Sequence, residues 1–167
     1  MFDELTQVDI DKMKEELEYR ITVVRPEILE DVKLARSHGD LSENAEYHAA
    51  KRERGKNESR IRYLRNMIKT AKVIEAKSED GKVGLFDTVT YYIEEDDAEE
   101  QVRIVTSLRR DPFVNIISKE SPLGSALMGT KVGDRIKVTV NETYSYYIVV
   151  RKIEKGEDDA SLEIRKF

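Results

Sequence analysis

Asp40 and Glu43 are the two carboxylates whose spacing in this chain invites chemistry. They fall within Gly39-Asp40-Leu41-Ser42-Glu43-Asn44-Ala45-Glu46-Tyr47, a polar stretch with a long helical pattern on either side. Three residues apart on the first turn of a helix, two carboxylates share one face and can hold a divalent cation through hard oxygen ligands. The same spacing has a purely structural use: Asp40 as the N-cap of the following helix, with Glu43 completing a capping box. Residue types and spacing leave both readings open. Gly39 suits the position just past a helix end, where a left-handed backbone is cheapest without a Cβ.

Two helical arms would position this tip. From Ile10 the apolar residues fall at Met13, Leu17, Ile21, Val24, Ile28, Val32 and Ala35, in steps of three and four. That is a sustained helical stripe. Pro26 interrupts it, lacking an N–H for the Thr22 carbonyl and crowding it with its ring, so a kink is expected there with the stripe resuming in register. The return helix is expected from Leu41 to about Glu75, with Ile61, Leu64, Ile68 and Ala71 on its apolar face. Ala45, Ala49 and Ala50 near the tip would let the arms approach closely. Arms of roughly 28 to 35 residues span about 40 to 50 Å at 1.5 Å per residue.

Charge divides between the arms. Residues 3–31 hold ten acids against four bases, and residues 51–72 hold nine bases against Glu53 and Glu58. An antiparallel turn at Gly39 sets residue 16 opposite residue 62 or so, and pairs across the hairpin account for much of this pattern. Exposed pairs of that kind contribute about 0 to 1 kcal/mol each. The surplus near the tip, Lys51, Arg52, Arg54 and Lys56, is also suited to a phosphate backbone.

The 167 residues allow one ordinary domain or two small ones, and with 38% charged residues an elongated, well-solvated protein is expected. The chain has 0 Cys, which excludes disulfides and thiolate metal sites and suits a reducing compartment. No apolar run approaches a membrane span, and residues 1–30 alternate charged with apolar, unlike a signal peptide. A cytoplasmic monomer with no membrane partner is expected. The net charge of -5 argues against general nucleic-acid binding but leaves room for a local patch.

Ala76 to Gly84 is polar with two glycines and reads as a linker between a hairpin at 1–75 and a second domain at 85–167. In that domain Thr88–Ile93 and Gln101–Val105 read as strands joined by an acidic turn, Glu94 to Glu100. Residues 135–140 and 144–153 read as a second strand pair. Between them Ser121 can cap a short helix, with Pro122 at its first position and Gly129 at its end. The fold class is α+β: a helical hairpin followed by a small antiparallel sheet with a short helix. This half offers no nucleophile with an obvious base and no glycine-rich phosphate loop. His38 and His48 flank the tip with no second His or Cys at metal-ligand spacing, which fits solvated helix positions.

Taken together, Arg25-Pro26-Glu27-Ile28, Ala35-Arg36-Ser37-His38 leading into GDLSENAEYHAAKRERG, Ala71-Lys72-Val73-Ile74 and SPLGSALMGTKVGD at Ser121 to Asp134 closely resemble the bacterial Gre transcript-cleavage factors. The resemblance covers nearly the whole chain. It implies an N-terminal coiled coil that reaches through the secondary channel of RNA polymerase, and an FKBP-like C-terminal domain that docks at the channel mouth. It further implies that Asp40 and Glu43 help the polymerase hold a magnesium ion and cut the 3′ end of backtracked nascent RNA. The protein would have no cofactor of its own and would be an accessory factor rather than an enzyme. Ser42, Asn44, Glu46 and Tyr47 would support the tip, Arg36, Lys51 and Arg52 would face RNA, and Ser121, Pro122 and Gly124 would meet the polymerase. The tail from Glu154 to Phe167 extends beyond the expected pattern, as one more edge strand or a disordered end. Two other readings remain: a non-cleaving occupant of the same channel, disfavoured by the intact acidic pair, and a prolyl isomerase or chaperone, disfavoured by the few aromatics available to line a pocket.

Overall fold

A computed structural model describes residues 3–40 and 43–165. The chain divides into two compact units, Ile10–Ala71 and a second built from Asp3–Asp9 with the chain from Lys72 onward.

The first unit is an antiparallel helical hairpin. Helix α1 (Gln7–Tyr19), whose opening turn belongs to the second unit, runs through a π-helical turn (Arg20–Val24) into α2 (Arg25–Arg36), and α3 (Ala45–Thr70) returns. The stripe read from the sequence faces inward: Ile10, Met13, Val32 and Ala35 are buried and Leu17, Ile21, Val24 and Ile28 half-buried. Ile61, Leu64 and Met67 of α3 are buried too, each such side chain contributing about 1.5–3 kcal/mol relative to exposure. The disturbance expected at Pro26 takes the form of the π turn just before it. There the Arg25 N–H reaches back five residues to the Arg20 carbonyl. The widened turn carries the chain past the residue that has no N–H to give.

Polar pairs cross between the arms beside this turn. Arg60 holds Glu16 with two bonds of 2.9 Å, and Arg20 shares the same carboxylate at 2.7 Å. Arg25 grips Glu58 at 2.7 and 2.9 Å. The partner of residue 16 is thus residue 60, two short of the sequence expectation. Burial pushes the Glu16 pKa up, but Arg60 and Arg20 outweigh it and hold the carboxyl below its ordinary value of 4.5. A depressed folded pKa means stability present above the unfolded value and lost as pH falls through the folded one. Melts of the protein at successively lower pH should therefore weaken below about 4.5, and Glu16→Gln should make that loss shallower. An identical slope in the variant would show that Glu16 does not carry it.

α3 ends at Thr70, not near Glu75, because the next residues pair elsewhere. β1 (Glu4–Leu5) and β2 (Lys72–Val73) form a two-stranded parallel ladder, in which Lys72 N–H donates to Asp3 and Ile74 N–H to Leu5, both at 2.9 Å.

The main sheet of the second unit comprises β3 (Thr88–Ile93), β4 (Ala98–Val105), β5 (Ile116–Ser118), β6 (Arg135–Thr139) and β7 (Ser145–Glu154), in the order β5-β4-β3-β7-β6. The sheet is mixed rather than antiparallel throughout, since β5 runs parallel to β4. Two short 3₁₀ turns, Ser107–Arg109 and Pro112–Val114, carry the chain back to start β5 alongside β4. The acidic turn is shorter than expected, because pairing of Ile93 with Ala98 starts β4 earlier. Alternation along β3 points Val89, Tyr91 and Ile93 into a core shared with Ile104, Val138, Ile148, Val150 and Leu127 of α4 (Pro122–Leu127). Val83 joins that core and exchanges backbone bonds with Gly129 and Thr130. Part of the stretch read as linker is therefore packed structure.

Beneath β4, the side chain of Arg109 is wholly buried. Its Nε donates to Asp9 Oδ1 at 2.5 Å, Nη1 to the Asp159 carbonyl at 3.1 Å, and Nη2 to Thr6 Oγ1 at 3.1 Å and to Asp158. The Phe86 ring lies 4.9 Å below the guanidinium. Thr6 and Asp9 are themselves a capping box at the start of α1: Thr6 N–H donates to Asp9 Oδ2 at 3.0 Å and Asp9 N–H to Thr6 Oγ1 at 3.4 Å. This cluster explains the tail. Residues 155–165 form neither an edge strand nor a loose end. Asp158 and Asp159 bind Arg109, Leu162 packs on the Leu85, Phe86 and Val105 cluster, Ile164 is buried and Arg165 N–H donates to Leu108 at 2.7 Å. Among the described residues no helix is long and apolar enough to cross a membrane.

Candidate functional site

The turn between α2 and α3 is built by caps at both ends. α2 closes with Ser37, whose N–H reaches the Leu34 carbonyl at 3.1 Å and whose hydroxyl donates to the same carbonyl at 2.5 Å. Gly39 follows with φ +102°, which L side chains rarely adopt. Asp40 and Glu43 are both exposed. Leu41 and Ser42, the first being the expected helix start and the second a predicted tip residue, lie outside the described residues.

The N-cap of α3 is Asn44, not Asp40. Asn44 has extended backbone angles, and its Oδ1 accepts the Tyr47 N–H at 3.0 Å while its Nδ2 donates to the Ala35 carbonyl at 2.8 Å. One side chain thus serves an orphan donor of α3 and a carbonyl in the last turn of α2. An ionised Asp has no proton to donate, whereas the amide carries its acceptor and its NH₂ donor on two separate atoms and so reaches both helices at once. The capping box expected of Asp40 and Glu43 at the start of α3 is therefore replaced by the Asn44 cap. Replacing Asn44 with Ala should cost about 1 kcal/mol. Amide exchange at Tyr47 should then accelerate before that of the helix middle, and an unchanged Tyr47 rate would count against the cap.

The surrounding residues split by sign. Glu46, in the first turn of α3 where negative charge suits the helix dipole, is 3.3 Å from His38 Nδ1. The Arg36 guanidinium lies 5.7 Å from the Tyr47 ring centre, and its hydrogen bond and charge hold the Tyr47 hydroxyl below its ordinary pKa. Tyr47 is half-buried. Lys51 and Arg52 are exposed further along α3. Among the described residues no three His, Asp or Glu side chains converge to hold a metal ion. What the turn offers is a pair of exposed hard-oxygen donors, with cations a few residues away on both arms.

The second predicted region lies on the sheet unit. Ser121 caps α4, accepting the Gly124 N–H at 3.0 Å and donating to the Ser118 carbonyl at 2.7 Å. Pro122 occupies the first turn. Gly124 is required by contact, for a Cβ there would sit 2.1 Å from the Ser118 oxygen. Ser121 also borders a cavity of about 870 Å³ whose other walls include Phe113, Ile116, Ile117 and Ile164. Phe113 is 96% exposed. The sequence reading missed this cavity, and the available signal was an apolar Pro-Phe-Val run between two strands.

Residues 4–73 match the family description "Transcription elongation factor, N-terminal", and residues 77–155 match "Transcription elongation factor, GreA/GreB, C-term". The chain is similar to "Transcription elongation factor GreA" of Macrococcus caseolyticus, 46% identical over 134 residues, or 80% of this chain and 85% of that one. It is likewise similar to the Bacillus subtilis protein of that name, 46% identical over 127 residues, or 76% and 81% of the two chains. Among solved structures, the GreA factor homolog 1 (Gfh1) protein of Thermus thermophilus matches at 22% identity and a TM-score of 0.44, covering 93% of this chain and 100% of that one. A helical hairpin and a sheet unit, matched in that order by two elongation-factor domains, define the class as transcription elongation factors. The chain belongs to the GreA/GreB family.

Proposed function

We propose that this protein inserts its hairpin into the secondary channel of RNA polymerase and stimulates the polymerase's own cleavage of backtracked RNA 3′ ends in the cytoplasm. The observation that carries the reading is the exposed pair Asp40 and Glu43 on a turn bracketed by Gly39 and Asn44, in a chain of the GreA/GreB family.

Two carboxylates on one turn fit a hard cation but are too few to hold one alone, so the donor set suits an ion shared with a partner's carboxylates. A magnesium ion so shared would stabilise charge on the attacking and leaving oxygens of an in-line displacement. Asp40 and Glu43 supply the extra oxygen donors, Asn44 and Gly39 fix the turn that presents them, and Arg36, Lys51 and Arg52 offer cations to the RNA phosphates. The hydroxyl of Tyr47, held by Arg36, orders the base of the turn. On the sheet unit, Ser121, Pro122 and Gly124 at the start of α4 meet the polymerase, Ser121 beside the cavity it borders. The protein acts as an accessory to another enzyme's centre.

The test is the length of RNA in halted, backtracked elongation complexes after adding the protein. Loss of the 3′ segment supports the reading. Tight binding with no shortening would instead make the protein a channel-occupying regulator.

A further inference from the structure

Apolar interlocking does not extend along the whole hairpin. From Ala45 to Lys56, α3 has no fully buried side chain, and its inward positions near the tip are alanines beside a shallow cavity of about 380 Å³. Small residues fill any nearby hole about equally well, so this half specifies the pairing of the arms only weakly. Along α3 the first deeply buried residues met on leaving the tip are polar, Asn57 and Arg60, at 3% and 4% exposure, facing an α2 whose buried residues at this end are Val32 and Ala35.

Their partners fit one alignment. Asn57 Oδ1 accepts from Arg20 Nη1 at 3.1 Å while its Nδ2 donates to the Arg20 carbonyl at 3.4 Å. That carbonyl also accepts the five-residue bond of the π turn. Arg60 and Arg20 converge on Glu16 from opposite arms. Sliding α3 by one turn, about 5.4 Å, would strip Asn57 of both bonds and Arg60 of Glu16, along with the more exposed Arg25–Glu58 pair and the Asn44 bond to Ala35, while exchanging alanine contacts for similar ones. A buried polar residue in an otherwise apolar helical seam is a known way of fixing register at some cost in stability.

We infer that Asn57 and Arg60, with Glu16 and Arg20, are positioning residues: a polar register lock that sets where the tip turn stands. Its consequence for cleavage rests on the function proposed above; the lock itself does not.

The absence of cysteine from the chain allows a direct test on the full protein. Spin labels on Leu34→Cys and Glu53→Cys, which line the same tip cavity, report the alignment of the arms. In this background Glu16→Leu, Asn57→Leu and Arg60→Leu replace the polar layer with apolar side chains. In the triple variant the single narrow distance should broaden, with a component displaced by about 5 Å. Cleavage at saturating protein should fall about a hundredfold, while the concentration giving half-maximal polymerase binding stays unchanged. Asn57→Ala alone, measured in the same way, decides the matter if the triple variant does not fold. A single unshifted distance overturns the lock whatever happens to cleavage. A broadened distance with full cleavage overturns its positioning role. If the parent itself never cleaves, the proposed function fails and the distances still judge the lock.

Discussion

Asp40→Ala with Glu43→Ala is expected to leave polymerase binding intact and to reduce transcript cleavage by about a hundredfold or more, the scale seen when charge-stabilising groups are removed from a reacting centre. The structure makes this a cleaner experiment than the sequence alone promised. Had Asp40 capped α3, its removal would have frayed the helix and moved the whole tip, and lost cleavage would have been ambiguous. With Asn44 as the cap, both acids are exposed side chains. Their removal should change stability by no more than about 0.5 kcal/mol. The expected signature is therefore a near-normal melt, normal competition for polymerase, and backtracked RNA that keeps its 3′ end. Asp40→Asn with Glu43→Gln should behave in the same way, because amides keep the shape but lose the charge that draws a cation. Cleavage that survives either pair would return these residues to the status of ordinary surface acids.

Arg109→Met is expected to be the most damaging single substitution for folding, destabilising the sheet unit by about 3–5 kcal/mol. Methionine fills similar volume, so the cost is electrostatic. Asp9, wholly buried, would lose its cation, and Thr6, Asp158 and the Asp159 carbonyl would each lose a donor. The N-terminal capping box and the C-terminal tail both hang on this one guanidinium. Thermal melting should drop by about 10 °C, and limited proteolysis should open the tail near Asp158 first. Lysine in place of Arg109 should rescue little, since one ammonium cannot serve partners spread around a planar fork. A melt within about 1 °C of the parent would mean that the cluster is relieved by solvent or rearrangement.

Much of the hairpin was legible because its signals are local and periodic. Steps of three and four place Ile10 through Ala35 on one face whatever lies opposite, and Pro26 lacks an N–H in any context, so a disturbance there was readable. Its form, a π turn with the Arg20 carbonyl shared by Arg25 and Asn57, depended on a residue 37 positions away. At the tip the spacing pointed to Asp40 as the cap, but Asn44, of similar intrinsic propensity, holds that position. Asn44 won through its bond to Ala35, a contact between elements that no local pattern encodes. In the second unit, alternation located β3 and β7, and Ser-Pro marked the start of α4. The parallel placement of β5 was not legible because it depends on two short 3₁₀ turns returning the chain alongside β4. The packing of the tail was not legible because it follows from Arg109 gathering Thr6, Asp9, Asp158 and Asp159 from distant stretches. By itself, then, the sequence determined the helical arms, the acidic turn, the strand-rich second half and the family, all carried by short-range spacing and motif. Tertiary structure alone decided which side chains cap, which charges are buried and how the arms are aligned, because a buried polar group must be matched by partners that only folding brings within hydrogen-bond reach.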